Sequence, residues 1–119
     1  MASAPSTERL ADYERRYREL ARQLADIGLI ASGSITQRYT RCASPGCRCN
    51  ADPPQRHGPY WQWTAKVNGK TLTRRVTQPQ AALYKEWIAN DRKLRAIIAK
   101  MREIAAKSTE LQLNQATDR

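Results

Sequence analysis

From the tenth residue the apolar positions fall at Leu10, Tyr13, Tyr17, Leu20, Leu24 and Ile27, in alternating steps of three and four. That spacing draws one apolar stripe along a helix and predicts an amphipathic, heptad-patterned first helix. Ser6 or Thr7 is the expected cap at its start and Gly28 the expected terminator. A second stripe, Leu83, Trp87, Asn90, Leu94, Ile97, Met101, Ile104, Ser108 and Leu111, follows the run Thr77-Gln78-Pro79-Gln80. Thr77 and Gln80 have capping-box spacing and Pro79 falls in the first turn, where its missing N–H costs nothing. A long second helix is therefore expected, reaching to about Leu113. Between the helices the period changes to two: Ser34 to Arg41, Tyr60 to Val67 and Lys70 to Thr77 alternate and are rich in β-formers, the last two around Asn68-Gly69. Asn-Gly calls for a two-residue type I′ turn. Its register places Val67 opposite Lys70, Ala65 opposite Leu72, Trp63 opposite Arg74 and Trp61 opposite Val76. One face then carries Trp61, Trp63, Ala65, Val67, Leu72 and Val76, the expected core; the other carries Tyr60, Gln62, Thr64, Lys66, Thr71, Thr73 and Arg75.

The pattern as a whole predicts an α+β chain. An N-terminal helix (residues 1–32) leads to a basic three-stranded antiparallel sheet with a Cys3His knuckle (33–77), then a long C-terminal helix and tail (78–119). The helices are expected to pair as a coiled coil within one structural domain overall. Because the second helix is the longer, its stripe from Leu94 through Ile97, Met101 and Ile104 to Leu111 is expected to meet a second copy of the chain. Asn90 would then be the polar seam residue that sets register and partner number. Only the first five residues and the tail after Leu113 read as disordered.

Charge sharpens this picture. The formal +10 is unevenly placed: residues 1–32 are balanced, whereas residues 33–77 set Arg38, Arg41, Arg48, Arg56, Lys66, Lys70, Arg74 and Arg75 against Asp52 alone. A basic middle between charge-mixed helices is an electrostatic footprint for a polyanion. No apolar run is long enough to cross a bilayer, and the N-terminal stretch is dense in charge where a signal peptide would be apolar, so a cytoplasmic protein is expected. A reducing compartment disfavours structural disulfides, and three cysteines are an odd number.

All three cysteines and the single histidine lie together as Cys42-x4-Cys47-x-Cys49-x7-His57. Four such ligands are the inventory of a tetrahedral zinc site, one structural ion per chain. Pro45-Gly46, Pro53-Pro54 and Gly58-Pro59 would shape the knuckle around it. Reduced thiols in a turn, with the histidine bonded to backbone, and a redox pair are the alternatives. Zinc has a further argument behind it, since metal-binding free energy becomes folding free energy in a sheet this small.

The stretch from Gly33 to Arg75 resembles an uncharacterised bacterial family, a domain of unknown function with the pattern G-S-[IL], R-Y, C-x4-C-x-C, H-G-P-Y-[WY] and G-K-T. Gly33, Ser34, Arg38, Tyr39, Cys42, Pro45, Cys47, Cys49, His57, Gly58, Pro59, Tyr60, Gly69, Lys70 and Thr71 carry the likeness over roughly residues 33–98, with Ala43-Ser44 replacing the family's Gly-Lys. The resemblance implies that the motif acts as a unit and that such chains are often encoded near mobile elements; it implies no activity.

Three functions compete. The first is nucleic-acid binding, duplex DNA before RNA: a basic sheet face backed by a helix resembles domains that lay strands in the major groove. Gln62, Lys66, Thr73 and Arg75 are the groove-facing candidates, with Arg38, Arg41, Arg56 and Lys70 on phosphates. The second is a coiled-coil interaction adaptor whose zinc module only stabilises the sheet. The third, catalysis, is not expected: the chain has one histidine, one carboxylate in its middle segment, no phosphate-binding glycine loop and no H-x-E element of a zinc deaminase.

Overall fold

The computed structural model describes residues 4–42, 44–51 and 55–117, without the side chains of residues 4–6 and Cys49. The elements run α1 (Ala4–Leu24), β1 (Ser34–Thr40), a short 3-10 turn (Arg48–Asn50), β2 (His57–Val67), β3 (Lys70–Val76) and α2 (Gln78–Thr117). This is the α+β order expected from the periodicity. No helix among the described residues is long and apolar enough to cross a membrane. Pro53, Pro54, Asp52 and Ala43 lie outside the described residues.

Contacts divide the chain into two compact units, residues 29–91 and residues 1–28 with 92–119. The first holds the sheet in the order β1-β2-β3, antiparallel throughout. The hairpin register is the one that Asn68-Gly69 dictates, pairing Trp61 with Val76, Trp63 with Arg74, Ala65 with Leu72 and Val67 with Lys70. Both turn residues have positive φ, 53° at Asn68 and 79° at Gly69, as a type I′ turn requires. β1 extends the rows, with Ile35 beside Trp63 and Gln37 beside Trp61. Gly33 precedes it at φ 102°, and an added Cβ there would stand 2.3 Å from the Thr64 carbonyl oxygen, so only glycine lets the chain start β1 this close to β2.

The core of this unit is Trp63, Ala65, Val76 and Ala81, with Ile35, Trp61, Tyr84 and Ile88 against it. Trp63 stacks on Tyr84 with ring centroids 4.9 Å apart, and its indole N–H donates to the Ser32 carbonyl at 2.9 Å. The Arg74 guanidinium lies 5.9 Å from the Trp63 ring centroid and donates a long 3.5 Å bond to the Tyr84 hydroxyl, and the Lys85 ammonium sits 4.3 Å from the Trp61 ring centroid. Two residues expected in the core are outside it: Val67 and Leu72 are 44% and 43% exposed. They have the inward parity, but they sit at the hairpin tip, beyond Ala65, where the packed cluster ends.

α2 opens on the capping box: the Thr77 backbone N–H donates to Gln80 Oε1 at 2.9 Å, and the Gln80 N–H to Thr77 Oγ1 at 3.3 Å. The linker before β1 is tied to the same helix, with the Ala31 N–H donating to the Trp87 carbonyl and the Asn90 side-chain amide to the Leu29 carbonyl at 2.8 Å. Asn90, expected as a seam residue between helices, instead supplies a hydrogen bond that a linker carbonyl lacks.

In the second unit α1 and the later part of α2 run antiparallel. Tyr13 shares a cleft with Leu111 and Ala106, Tyr17 with Ser108 and Ala105, and Leu20 with Ile104. The two stripes therefore face each other, Ile97 and Ser108 being buried and Met101, Ile104 and Leu111 half-buried. The stretch expected to outrun the first helix and call for a second chain is the stretch that α1 covers, because the antiparallel course sets α1 against the far part of α2. On the exposed side of α1, Asp12 pairs with Arg15 and Arg16. Both helix limits differ from expectation. α1 begins at Ala4, so Ser6 and Thr7 lie within it, and it ends at Leu24 through i→i+3 bonds from the N–H groups of Ala25, Asp26 and Ile27. Those bonds satisfy the last carbonyls without a left-handed residue, and Gly28 has no positive φ. α2 continues past Leu113 to Thr117.

A contrast within one sheet tests this account. Trp63→Ala removes the stacked, hydrogen-bonded centre of the core and should lower stability by about 3–5 kcal/mol, whereas Leu72→Ala, at the exposed tip, should cost under about 1 kcal/mol. Urea unfolding followed by far-UV circular dichroism measures both.

Candidate functional site

The cysteine and histidine ligands are brought together by the ends of β1 and β2. β1 closes with Thr40 paired to His57, the first residue of β2, and the register shifts between Arg38 and Thr40. Cys42 lies two residues beyond Thr40, and the intervening loop returns Cys47 to the same place. The ligand atoms of Cys42, Cys47 and His57 lie within 4.8 Å of one another, and Cys47 Sγ stands 3.1 Å from His57 Nε2. Ligand atoms on a tetrahedral zinc ion are roughly 3.5–3.8 Å apart, given bonds of about 2.0–2.3 Å, so the observed separations bracket those of a closed site. All three residues are half-buried, and Cys42 and Cys47 are in no disulfide. These three could hold a metal ion. The Cys49 side chain, expected as the fourth ligand, lies outside the described residues; its backbone is the middle of the 3-10 turn Arg48–Asn50.

A residue that the sequence reading passed over organises this loop. The Asn50 amide donates to the Ser44 carbonyl at 2.8 Å and, more weakly, to the Cys42 carbonyl at 3.4 Å. The Asn50 and Ala51 N–H groups bond back to Cys47 and Arg48, and the Gln55 N–H to Arg48. Asparagine in a turn commonly makes such side-chain-to-backbone bonds, which was the available signal. Gly58 is the other constraint: at φ 128°, an added Cβ would approach the Arg38 carbonyl oxygen to 2.8 Å.

The outward face of the sheet carries the second candidate site. By register its rows are Arg38–Tyr60, Thr36–Gln62–Arg75, Ser34–Thr64–Thr73 and Lys66–Thr71. No acidic residue stands among them. The Arg75 guanidinium lies 4.0 Å from the centroid of the Tyr60 ring, and Arg38 Nη1 donates a long 3.5 Å bond to Gln62 Oε1. Stacking on a ring holds a guanidinium flat while leaving its edge N–H groups free. Arg38, Gln62, Lys66, Thr73 and Arg75 thus share one face. Lys70 does not: it pairs with Val67 and has the inward parity of Leu72 and Arg74. Arg41 and Arg56 are exposed at the metal-ligand end, one just after β1 and the other just before β2. Of the expected helix-seam residues, Leu94, Ile97, Met101, Ile104 and Leu111 belong to the helical unit and Asn90 to the sheet unit.

A family model described as a domain of unknown function, DUF6788, matches residues 10–85. The match takes in most of α1, which the motif pattern leaves out, and ends at Lys85 in the first turns of α2. No curated protein matches the chain, and no solved structure does.

The ligand geometry sets an expectation for metal content. Protein purified without chelator should carry about one equivalent of a divalent metal, and Cys47→Ser or His57→Ala should lower retention at least tenfold, because each removes one of only three or four ligands. Elemental analysis after gel filtration reads the result, with Cys49→Ser reporting whether Cys49 is a fourth ligand.

Proposed function

The chain belongs to the DUF6788 family, which brings no activity with it, and we propose that it is a zinc-stabilised nucleic-acid-binding protein that reads duplex DNA with the outward face of its sheet. The observation that carries this reading is the acid-free row of Arg38, Gln62, Tyr60 and Arg75, already held in place by a ring stack and a side-chain hydrogen bond. Three strands spaced about 4.8 Å apart make a surface about 10 Å across, a fit for a major groove about 12 Å wide. Arg75 and Gln62 at its centre have the donors and acceptors that read base edges, while Arg38 and Lys66 at its margins suit phosphates. Arg41 and Arg56 extend the charge toward the metal ligands.

Two cysteines and a histidine are a donor set that zinc favours over harder cations, and a site of this kind needs no redox chemistry to do its work. In this reading the ion is structural. The gene neighbourhood implied by the resemblance, beside mobile elements, suits an accessory or regulatory DNA-binding factor. Single-stranded RNA stacked on Tyr60 is the competing polyanion, and the same assay with RNA ligands distinguishes it.

If about six phosphates are neutralised, log affinity should fall against log salt with a slope of roughly −5, measured by fluorescence anisotropy on a labelled duplex. Neighbouring arginines should behave differently in that assay. Arg75→Ala should weaken binding about tenfold with the melting temperature nearly unchanged. Arg74→Ala, which removes the cation lying over Trp63, should lower the melting temperature and alter binding by less than about threefold. Parental binding by both variants would move the reading surface away from the sheet and favour an adaptor role.

A further inference from the structure

The metal ligands and the outward face meet at one end of the β1–β2 ladder, and that end has little else to hold it. Between Arg38 and Thr40 the register shifts, so beyond the Arg38–Tyr60 pair the ladder consists of Thr40–His57 alone. None of the buried core residues lies between Thr36 and Tyr60, and Tyr39 at the irregularity is 56% exposed. Arg38, Arg41, Arg48 and Arg56 sit on or beside this end with no acidic residue among the described ones, so charge repulsion works against its closure. Cys42 continues β1 and His57 begins β2. An ion bound by both joins the two strands directly, and Cys47 adds the loop between them.

We propose that the Cys42–Cys47–His57 group is a metal-operated clamp on the DNA-reading face: one bound zinc ion closes the end of the β1–β2 ladder and thereby orders Arg38, Tyr60 and Arg75, which lose their binding geometry when the ion leaves. The proposal rests on the nucleic-acid reading above and adds its control. The order passes along short physical steps. The ion fixes His57, His57 is three residues from Tyr60 on the same strand, Tyr60 pairs with Arg38, and the Tyr60 ring is the platform under the Arg75 guanidinium. Lys66 and Thr73 lie toward the hairpin tip and next to the Trp63 core, out of reach of the clamp. Metal loss therefore removes part of the face and leaves the rest. Two phosphate-binding arginines fewer should make the salt slope shallower by about two.

The test compares the full chain loaded with zinc and stripped with a chelator, binding a labelled 20-base-pair duplex across a salt series, with circular dichroism of both forms. The expected result is that the stripped protein keeps its far-UV spectrum and its near-UV tryptophan signal while losing about tenfold in affinity. Its slope should change from roughly −5 to about −3, and added zinc should restore both. Cys47→Ser should bind like the stripped protein whether or not zinc is present. Gly58→Ala, which crowds the Arg38 carbonyl without removing a ligand, should show the same losses at saturating zinc. Equal affinity and slope in the two forms would overturn the clamp and leave the DNA reading intact. Complete unfolding on stripping would overturn it as well, since the ion would then be a staple for the whole sheet. If neither form binds the duplex, the DNA reading itself falls, and the clamp with it.

Discussion

The stack of Trp63 on Tyr84 is the contact on which the sheet unit depends. Trp63 stands in the central strand between Ile35 and Arg74; its ring meets α2 through Tyr84 and its N–H meets the linker before β1 through the Ser32 carbonyl. One side chain thus joins all three strands, the helix and the linker. Because side chains alternate along a strand, burying Trp63 also decides which residues are turned to solvent. Gln62 and Thr64 must point outward, and with them Arg75, Thr73, Thr36 and Arg38 in the neighbouring rows. The basic face is the reverse side of a hydrophobic decision, and a one-residue slip of either neighbouring strand would exchange its charges for apolar groups.

The two ends of the sheet are held by different physics. Near Trp63, apolar burial and the reciprocal capping box of Thr77 and Gln80 fix the geometry. At the far end of β2 the sheet has an irregular register, a half-buried histidine and an exposed Tyr39, and there the thiols and imidazole are gathered. A site of soft ligands at the weakly buried end of a small sheet suits a metal whose binding energy is also folding energy. Asn50 and Gly58 prepare that end, one by holding the loop carbonyls and the other by admitting the β1 backbone.

The helical unit shows how a sound pattern can lead to a partner that is not required. Stripes at steps of three and four say that both helices have an apolar face, and they do. They do not say in which direction the helices run past each other. The antiparallel course places Tyr13 by Leu111 and Leu20 by Ile104, so the long stripe is met within the chain. Asn90 is on the stripe by spacing, yet its amide is used by the Leu29 carbonyl, a partner 61 residues away that no helical period encodes.

What the sequence determined alone is what depends on neighbours along the chain. Asn68-Gly69 set the hairpin register because only such residues accept positive φ in succession, and with it came the division between Arg74 inside and Arg75 outside. Thr77 and Gln80 set the start of α2, and the grouping of Cys42, Cys47 and His57 was visible in their spacing. The tertiary structure decided what depends on residues far apart: that the core stops at Ala65 and leaves Val67 and Leu72 in solvent, that Lys70 falls on the opposite face from Lys66, and that α1 closes on i→i+3 bonds without using Gly28. It also decided that the three ligands and the arginine row share one end of the β1–β2 ladder. Local propensity acts over a few residues, whereas burial and ladder pairing join segments whose separation along the chain carries no periodic signal.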